Sequence, residues 1–180
     1  MSERRPHVVA AVGLVLGALL GMAGTFLASP GLRALSWGID GIALVVASAL
    51  LAVHHLHRGD ELLSAGFLVF MAGETLIVSG SGMDLAASAP TFAAGAGLWA
   101  AALALVSASP VMPTFVRVTG TIAALLFAVT AARMLQGGGL TPLSTPLPFY
   151  AYPFLAATLL GWAWVHRPLG GDSASGDTPR

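Results

Sequence analysis

The chain has 180 residues, of which 56% are hydrophobic and 9% are charged, and its formal net charge is zero at pH 7. An average soluble domain has about a quarter of its residues charged, so this composition excludes an ordinary soluble protein. All eight basic residues are arginine, so no lysine amine is present to form a Schiff base with retinal or pyridoxal phosphate. The absence of cysteine excludes disulfides, thiol redox chemistry, cysteine-ligated zinc and iron–sulfur clusters.

Long stretches without a charged side chain recur along the sequence. They lie between residues 5 and 33, 40 and 58, 61 and 74, 84 and 117, 117 and 133, and 133 and 167. The apolar core of a bilayer is about 30 Å thick, so a helix that crosses it needs about 20 mostly apolar residues. The charge pattern therefore predicts an all-α integral membrane protein, a bundle of about six transmembrane helices joined by short loops.

The predicted helices, in chain order, cover residues 7–28, 35–58, 60–80, 90–109, 114–135 and 148–166. Proline and glycine interrupt the helical pattern between them, first at Ser29-Pro30-Gly31. The fifth connection, residues 136–147, is the only one roomy enough to fold over a site. Residues 1–169 thus form a single transmembrane domain, and the small, polar tail at 170–180 is expected to be disordered in the cytoplasm.

The arginine distribution predicts an orientation. With both termini in the cytoplasm, only Arg33 and Arg133 lie on the outer side. An excess of arginine on the inner side is typical of membrane proteins, so we predict an integral protein of the bacterial inner (plasma) membrane. The first apolar run, of about 21 residues, is longer than the roughly 7–15 residues of a signal-peptide core, so we expect it to be retained.

Aromatic residues near the ends of the last predicted helix fit the same topology. Tyr150 and Tyr152 lie at one end, and Trp162 and Trp164 lie at the other. Tyrosine and tryptophan are enriched at both membrane–water interfaces. We interpret these side chains as two interfacial belts.

Four glycines form a row in the first predicted helix: Gly13, Gly17, Gly21 and Gly24. Such a row lets another helix backbone approach closely. The partner is either a helix of the same chain or a second molecule. The row therefore predicts helix packing within the lipid bilayer, with a homo-oligomer or a membrane partner subunit as one of the two alternatives.

Two acidic residues interrupt the apolar segments. Asp40 is predicted about five residues below the outer surface and Glu74 about eight residues deep, so their depths differ by about 5 Å. A carboxylate at such depth is protonated, faces protein or water, or has a partner. We interpret Asp40 and Glu74 as a candidate proton-, ion- or substrate-binding pair, with Arg133 as the candidate cation. The alternative is a fixed carboxylate–arginine or carboxylate–hydroxyl contact that only specifies packing.

The densest polar stretch is His54-His55-Leu56-His57-Arg58-Gly59-Asp60-Glu61. His54 and His57 share a helix face and, with His55, form a weak candidate metal site. The structural alternative is a tight hairpin, in which basic residues end one helix, Gly59 adopts a left-handed conformation and acidic residues begin the next. Since all five histidines lie near predicted helix ends, whereas a haem takes its ligands from a bundle interior, no cofactor is expected.

Catalytic motifs are missing from the sequence. It has no His-Glu-x-x-His zinc motif, no Walker loop and no basic patch for nucleic acid. Because its packing features are clearer than its chemical ones, we expect a non-enzymatic accessory or self-associating membrane component. One alternative is a transporter of a small solute or ion coupled to protonation of Glu74, with Asp40 as a second candidate. The other is a haem- or metal-binding membrane protein that uses the boundary histidines.

Overall fold

A computed structural model describes residues 4–167, which form six α-helices and no strand. The helices are α1 (Arg4–Phe26), α2 (Pro30–His57), α3 (Glu61–Ser79), α4 (Ala89–Ala108), α5 (Thr114–Leu135) and α6 (Tyr152–Val165), and a 3₁₀ turn at Phe149–Ala151 precedes α6. The prediction of an all-helical chain with six helices is confirmed for this part of the sequence. The tail at 170–180 lies outside the described residues.

Helix length and composition indicate a membrane-embedded protein. Helices α1 to α5 are each long and apolar enough to cross a membrane, whereas α6 is apolar but shorter. Large apolar side chains are exposed, among them Leu19, Ile42 and Leu125. A soluble monomer rarely exposes extended apolar surface of this kind, whereas lipid accommodates it.

The predicted start of the second helix was wrong. Helix α2 begins at Pro30 rather than at residue 35, because Ser29 is its N-cap and accepts a hydrogen bond from the Leu32 amide. Pro30 fits the first turn, where a backbone N–H has no helical partner in any case. The Ser-Pro-Gly segment is therefore mostly the beginning of α2. As a consequence, Asp40 lies about ten residues from the start of its helix and is deeper than predicted.

The six helices form a closed ring in chain order. Each helix packs against its neighbours in sequence, and α6 packs against α1. Short connections make consecutive helices antiparallel. Helices α1, α3 and α5 therefore finish at the end of the ring where α2, α4 and α6 begin, and we call this end the loop end.

Aromatic side chains fill the axis of the ring in its middle. The ring centroids of Phe67 and Trp162 are 5.0 Å apart, those of Phe70 and Trp162 are 5.4 Å apart, and those of Phe70 and Trp99 are 5.9 Å apart. Trp162 is fully buried, so its interpretation as part of an interfacial belt was wrong. Trp164 is exposed, with the Arg167 guanidinium over its ring.

Glycines set the spacing of the helices. A methyl group on Gly13 of α1 would lie 2.8 Å from the carbonyl oxygen of Ala43 in α2, and one on Gly73 of α3 would lie 2.9 Å from the carbonyl oxygen of Gly95 in α4. Separations this short are well inside van der Waals contact, and backbone atoms do not move aside as a flexible side chain does. The row that starts at Gly13 thus packs against α2 of the same chain.

A glycine exchange tests this close approach. We expect Gly13→Ala to destabilise the protein by about 1–3 kcal/mol, because the added methyl group forces α1 and α2 apart. In the control Gly38→Ala, no atom lies within 4 Å of the added methyl group. This variant should match or slightly exceed wild-type stability. Thermal unfolding in detergent measures both, and equal melting temperatures for the two variants would contradict the packing.

Candidate functional site

A cavity lies inside the ring near the loop end. It has a volume of about 60 Å³ that the centre of a water-sized molecule can occupy. One water needs roughly 10–15 Å³ of such space, so the cavity has room for a few waters or a ligand of a few heavy atoms. Its acidic and aromatic lining consists of Trp37, Asp40, Glu74, Phe92, Trp99 and Tyr152.

Two carboxyl groups face this cavity, Asp40 from α2 and Glu74 from α3. Their side chains are buried, with Asp40 8% and Glu74 1% exposed. Among the described residues, Oδ1 of Asp40 and Oε2 of Glu74 have no hydrogen-bond partner. The indole nitrogen of Trp99 lies near Glu74 but makes no hydrogen bond of good geometry within residues 4–167. An ionised carboxylate in such surroundings costs several kcal/mol unless a proton or a cation accompanies it.

The candidate cation Arg133 is not placed beside either carboxyl group. It is exposed at the end of α5. Within residues 4–167, the side-chain ion pair is between His55 and Asp60. A fixed carboxylate–arginine contact is therefore absent from the described part of the chain, because the exposed Arg133 side chain points away from the ring.

Glycines make room for the carboxyl groups between the helices. A methyl group on Gly21 of α1 would lie 2.7 Å from Oδ2 of Asp40, and one on Gly41 of α2 would lie 3.0 Å from Oε1 of Glu74. Each carboxyl group thus packs against the backbone of a neighbouring helix. The rest of the row on α1 follows the same surface, since Gly17 faces Leu44 and Gly24 faces the Trp37 indole.

The long connection between α5 and α6 reaches the cavity. Pro142 lines it, and the Tyr152 hydroxyl donates a hydrogen bond to the Pro142 carbonyl oxygen at 2.6 Å. The backbone N–H of Thr141 donates to the Ser144 hydroxyl at 2.9 Å. The connection is therefore anchored to α6 directly beside the site.

Four histidines gather at the opposite end of the ring, which we call the histidine end. The ring centroids of His7 and His54 are 4.4 Å apart, those of His54 and His55 are 5.1 Å apart, and those of His55 and His166 are 5.2 Å apart. His57, which the sequence groups with His54 and His55, is exposed and makes none of these contacts. Among residues 4–167, no three or more His, Cys, Asp or Glu side chains are arranged to hold a metal ion.

The turn between α2 and α3 has the predicted hairpin form. Gly59 has φ of 76°, the left-handed conformation that glycine adopts without strain. The Asp60 amide donates to the His55 carbonyl oxygen at 2.9 Å, which closes the end of α2. This turn places the Asp60 carboxylate within 3.3 Å of His55 Nδ1.

A line of hydrogen bonds joins this turn to α6. His55 Nε2 and His166 Nε2 are 3.0 Å apart, and His166 Nδ1 donates to the Trp162 carbonyl oxygen at 2.7 Å. The contact to Asp60 completes the line. Three hydrogen bonds need three protons, whereas an ionised Asp60 and two neutral imidazoles supply two. With neutral imidazoles, His55 therefore donates either to Asp60 or to His166.

His166 itself stays neutral in this arrangement. Burial lowers the pKa of His166 to about 4, since the charged imidazolium is poorly solvated there, and the neighbouring His55 and His54 act in the same direction. The hydrogen bond to the Trp162 carbonyl oxygen opposes the shift. A proton on His166 is thus disfavoured.

Asp40 and Glu74, which their predicted depths paired, both line one cavity, although Asp40 lies deeper than predicted. The aromatic lining was missed. Trp37 is three residues before Asp40 on α2, which puts both on one helix face, and this spacing was an available signal. Tyr152 and Trp99 come from distant segments, so only the closure of the ring brings them to the site.

Comparisons with known proteins give no relative: no family model, no curated protein and no solved structure matches this chain.

Acid sensitivity tests the state of His166. Because its pKa is about 4 in the folded protein against 6.5 for an exposed histidine, the unfolded chain binds more protons between these values, and stability falls as the pH decreases from 6.5 to 4. The full shift corresponds to roughly 3 kcal/mol. We expect His166→Gln to reduce the loss of melting temperature over this range.

The matched control is His57→Gln, which changes an exposed histidine at the same end of the ring. It should keep the wild-type pH dependence. An unchanged pH dependence in His166→Gln would show that His166 is not the group responsible.

Proposed function

We propose that this protein is a membrane carrier for a small solute, in which Asp40 and Glu74 exchange a proton for the solute. The observation that carries the proposal is the pair of buried carboxyl groups, each with an oxygen that lacks a hydrogen-bond partner. In the proposed orientation the protein lies in a bacterial inner membrane with both termini in the cytoplasm, and the cavity faces the outer side.

Unpartnered carboxyl groups inside a membrane destabilise the folded protein. A purely structural role does not explain why they are present. Among the described residues no ion pair satisfies them, and the hydroxyl groups next to Glu74 on α3 do not either. Thr75 donates to the Met71 carbonyl oxygen and Ser79 to that of Leu76. Ionisable groups inside membrane spans commonly mark ion or proton pathways, and the cavity gives these two a place to act.

The cavity is closed toward the histidine end. Leu44 and Leu159 form part of its wall and are each 2% exposed, and Phe70 and Trp162 are fully buried beyond them. A solute bound at the carboxyl groups therefore leaves toward the loop end in this conformation. Passage to the other side requires that these side chains separate, as in a carrier that exposes its site alternately to the two sides.

The self-association hypothesis has lost its main support. It depended on the glycine row of α1, and this row packs against α2 of the same molecule. No other apolar feature of the described residues singles out a surface for a second molecule. The carrier proposal accounts for the buried acids, which an accessory role leaves unexplained.

Proton movement in liposomes tests the carrier. Purified protein is reconstituted with a pH-sensitive dye inside, and small solutes are added outside: inorganic monovalent cations, alkylammonium salts and neutral alcohols. We expect at least one solute to move protons faster than in protein-free liposomes, which correct for passive leakage. Glu74→Gln should slow this movement by about tenfold or more, because the amide does not exchange a proton at neutral pH.

The control variant is Glu61→Gln, which changes an exposed acid on the same helix and should retain wild-type rates. Absence of solute-dependent proton movement, or equal rates in wild type and Glu74→Gln, would overturn the proposed function.

A further inference from the structure

Hydrogen-bonding groups around the cavity point to the chemical class of its ligand. This inference rests on the proposed function and concerns the same site. Most donors of the lining are already used within the protein, whereas the acceptors are not. A ligand that complements the cavity therefore brings its own donors.

Four polar hydrogens of the lining are directed at backbone carbonyl oxygens. The Trp37 indole donates to Gly21 at 3.2 Å and the Tyr152 hydroxyl to Pro142 at 2.6 Å. The two serines of the lining likewise donate to their own preceding turns, Ser81 to Val78 at 2.9 Å and Ser88 to Leu85 at 3.1 Å. Trp99 retains an N–H without a partner among the described residues.

The acceptors that remain are concentrated in the two carboxyl groups. Oδ1 of Asp40 and Oε2 of Glu74 are without partners, and each carboxylate oxygen accepts about two hydrogen bonds. Such a site is deficient in donors, and it becomes negatively charged when a carboxyl group loses its proton. It favours a cation that carries several N–H groups.

Aromatic rings make up much of the remaining wall. Trp37, Phe92, Trp99 and Tyr152 line the same space as the carboxyl groups. Aromatic rings attract cations through their quadrupole and also pack well against short alkyl chains. A hydrated inorganic cation gains little from such a wall, since it prefers several oxygen ligands.

We propose that the cavity binds a small primary alkylammonium ion, about the size of ethylammonium, with its N–H groups donating to Asp40 and Glu74 and its alkyl group against the aromatic wall. The volume of about 60 Å³ suits a ligand of a few heavy atoms and excludes a bulky amine. Two protonated carboxyl groups are neutral together. When one proton leaves and one singly charged ammonium ion enters, the site remains neutral, so one proton is released for each ammonium ion bound.

Direct binding to the purified full chain tests this ligand class. The protein in a neutral detergent is titrated with ethylammonium chloride while tryptophan fluorescence, to which Trp37 and Trp99 contribute, and the pH of a weakly buffered solution are followed. We expect a saturable fluorescence change and the release of about one proton per molecule of protein.

Four other ligands separate the contributions on the wild-type protein, so the result does not depend on the folding of a variant. Tetramethylammonium has the charge without N–H donors, ethanol has a donor without the charge, sodium has no alkyl group, and 1-adamantylammonium is too large. Each should bind about tenfold or more weakly than ethylammonium. Equal or tighter binding of any of them would overturn the inference.

Ethylammonium binding to variants then tests which side chains hold the ligand. Glu74→Gln and Asp40→Asn should weaken ethylammonium binding by about tenfold or more, and Glu61→Gln should leave it unchanged. If ethylammonium fails to bind while another solute moves protons through Glu74 in liposomes, the ligand class is wrong and the carrier stands. If no solute moves protons, the carrier itself is wrong.

Discussion

Six helices arranged in a ring enclose a space along their common axis, and the filling of that space governs the rest of the structure. In the middle of the ring the filling is complete, because Phe67, Phe70 and Trp162 interlock across it. Toward the loop end, the side chains of Trp37, Phe92, Trp99 and Tyr152 line a space that they do not fill. The two acidic side chains face this space.

The same ring separates two kinds of polar chemistry. At the loop end, the carboxyl groups of Asp40 and Glu74 lack partners. At the histidine end, Asp60, His55, His166 and the Trp162 carbonyl oxygen form a line of polar contacts. Paired polar groups rigidify the structure around them, whereas unpaired ones are costly in a low-dielectric interior. The polar groups are therefore paired at one end of the ring and unpaired at the other.

The helical architecture was predictable because lipid imposes it: charge spacing alone marks segments long enough to cross a bilayer. Helix boundaries were less certain, and Ser29-Pro30 began α2 where a break was expected. Asp40 and Glu74 stood out because a charge is rare at that depth. No local sequence pattern specifies the order of the helices around the ring. For this reason, neither the burial of Trp162 nor the position of Tyr152 beside Asp40 and Glu74 was predicted.

Helix α6 closes the ring and reaches both ends of it. It closes the ring between α5 and α1, it carries Tyr152 and Leu155 at the cavity, and His166 follows its last turn at the opposite end. Trp162 contacts both Phe67 and Phe70 from this helix. A tilt of α6 would therefore move the cavity wall and the His166 contact together. One short helix thus connects the cavity to the histidine end of the ring.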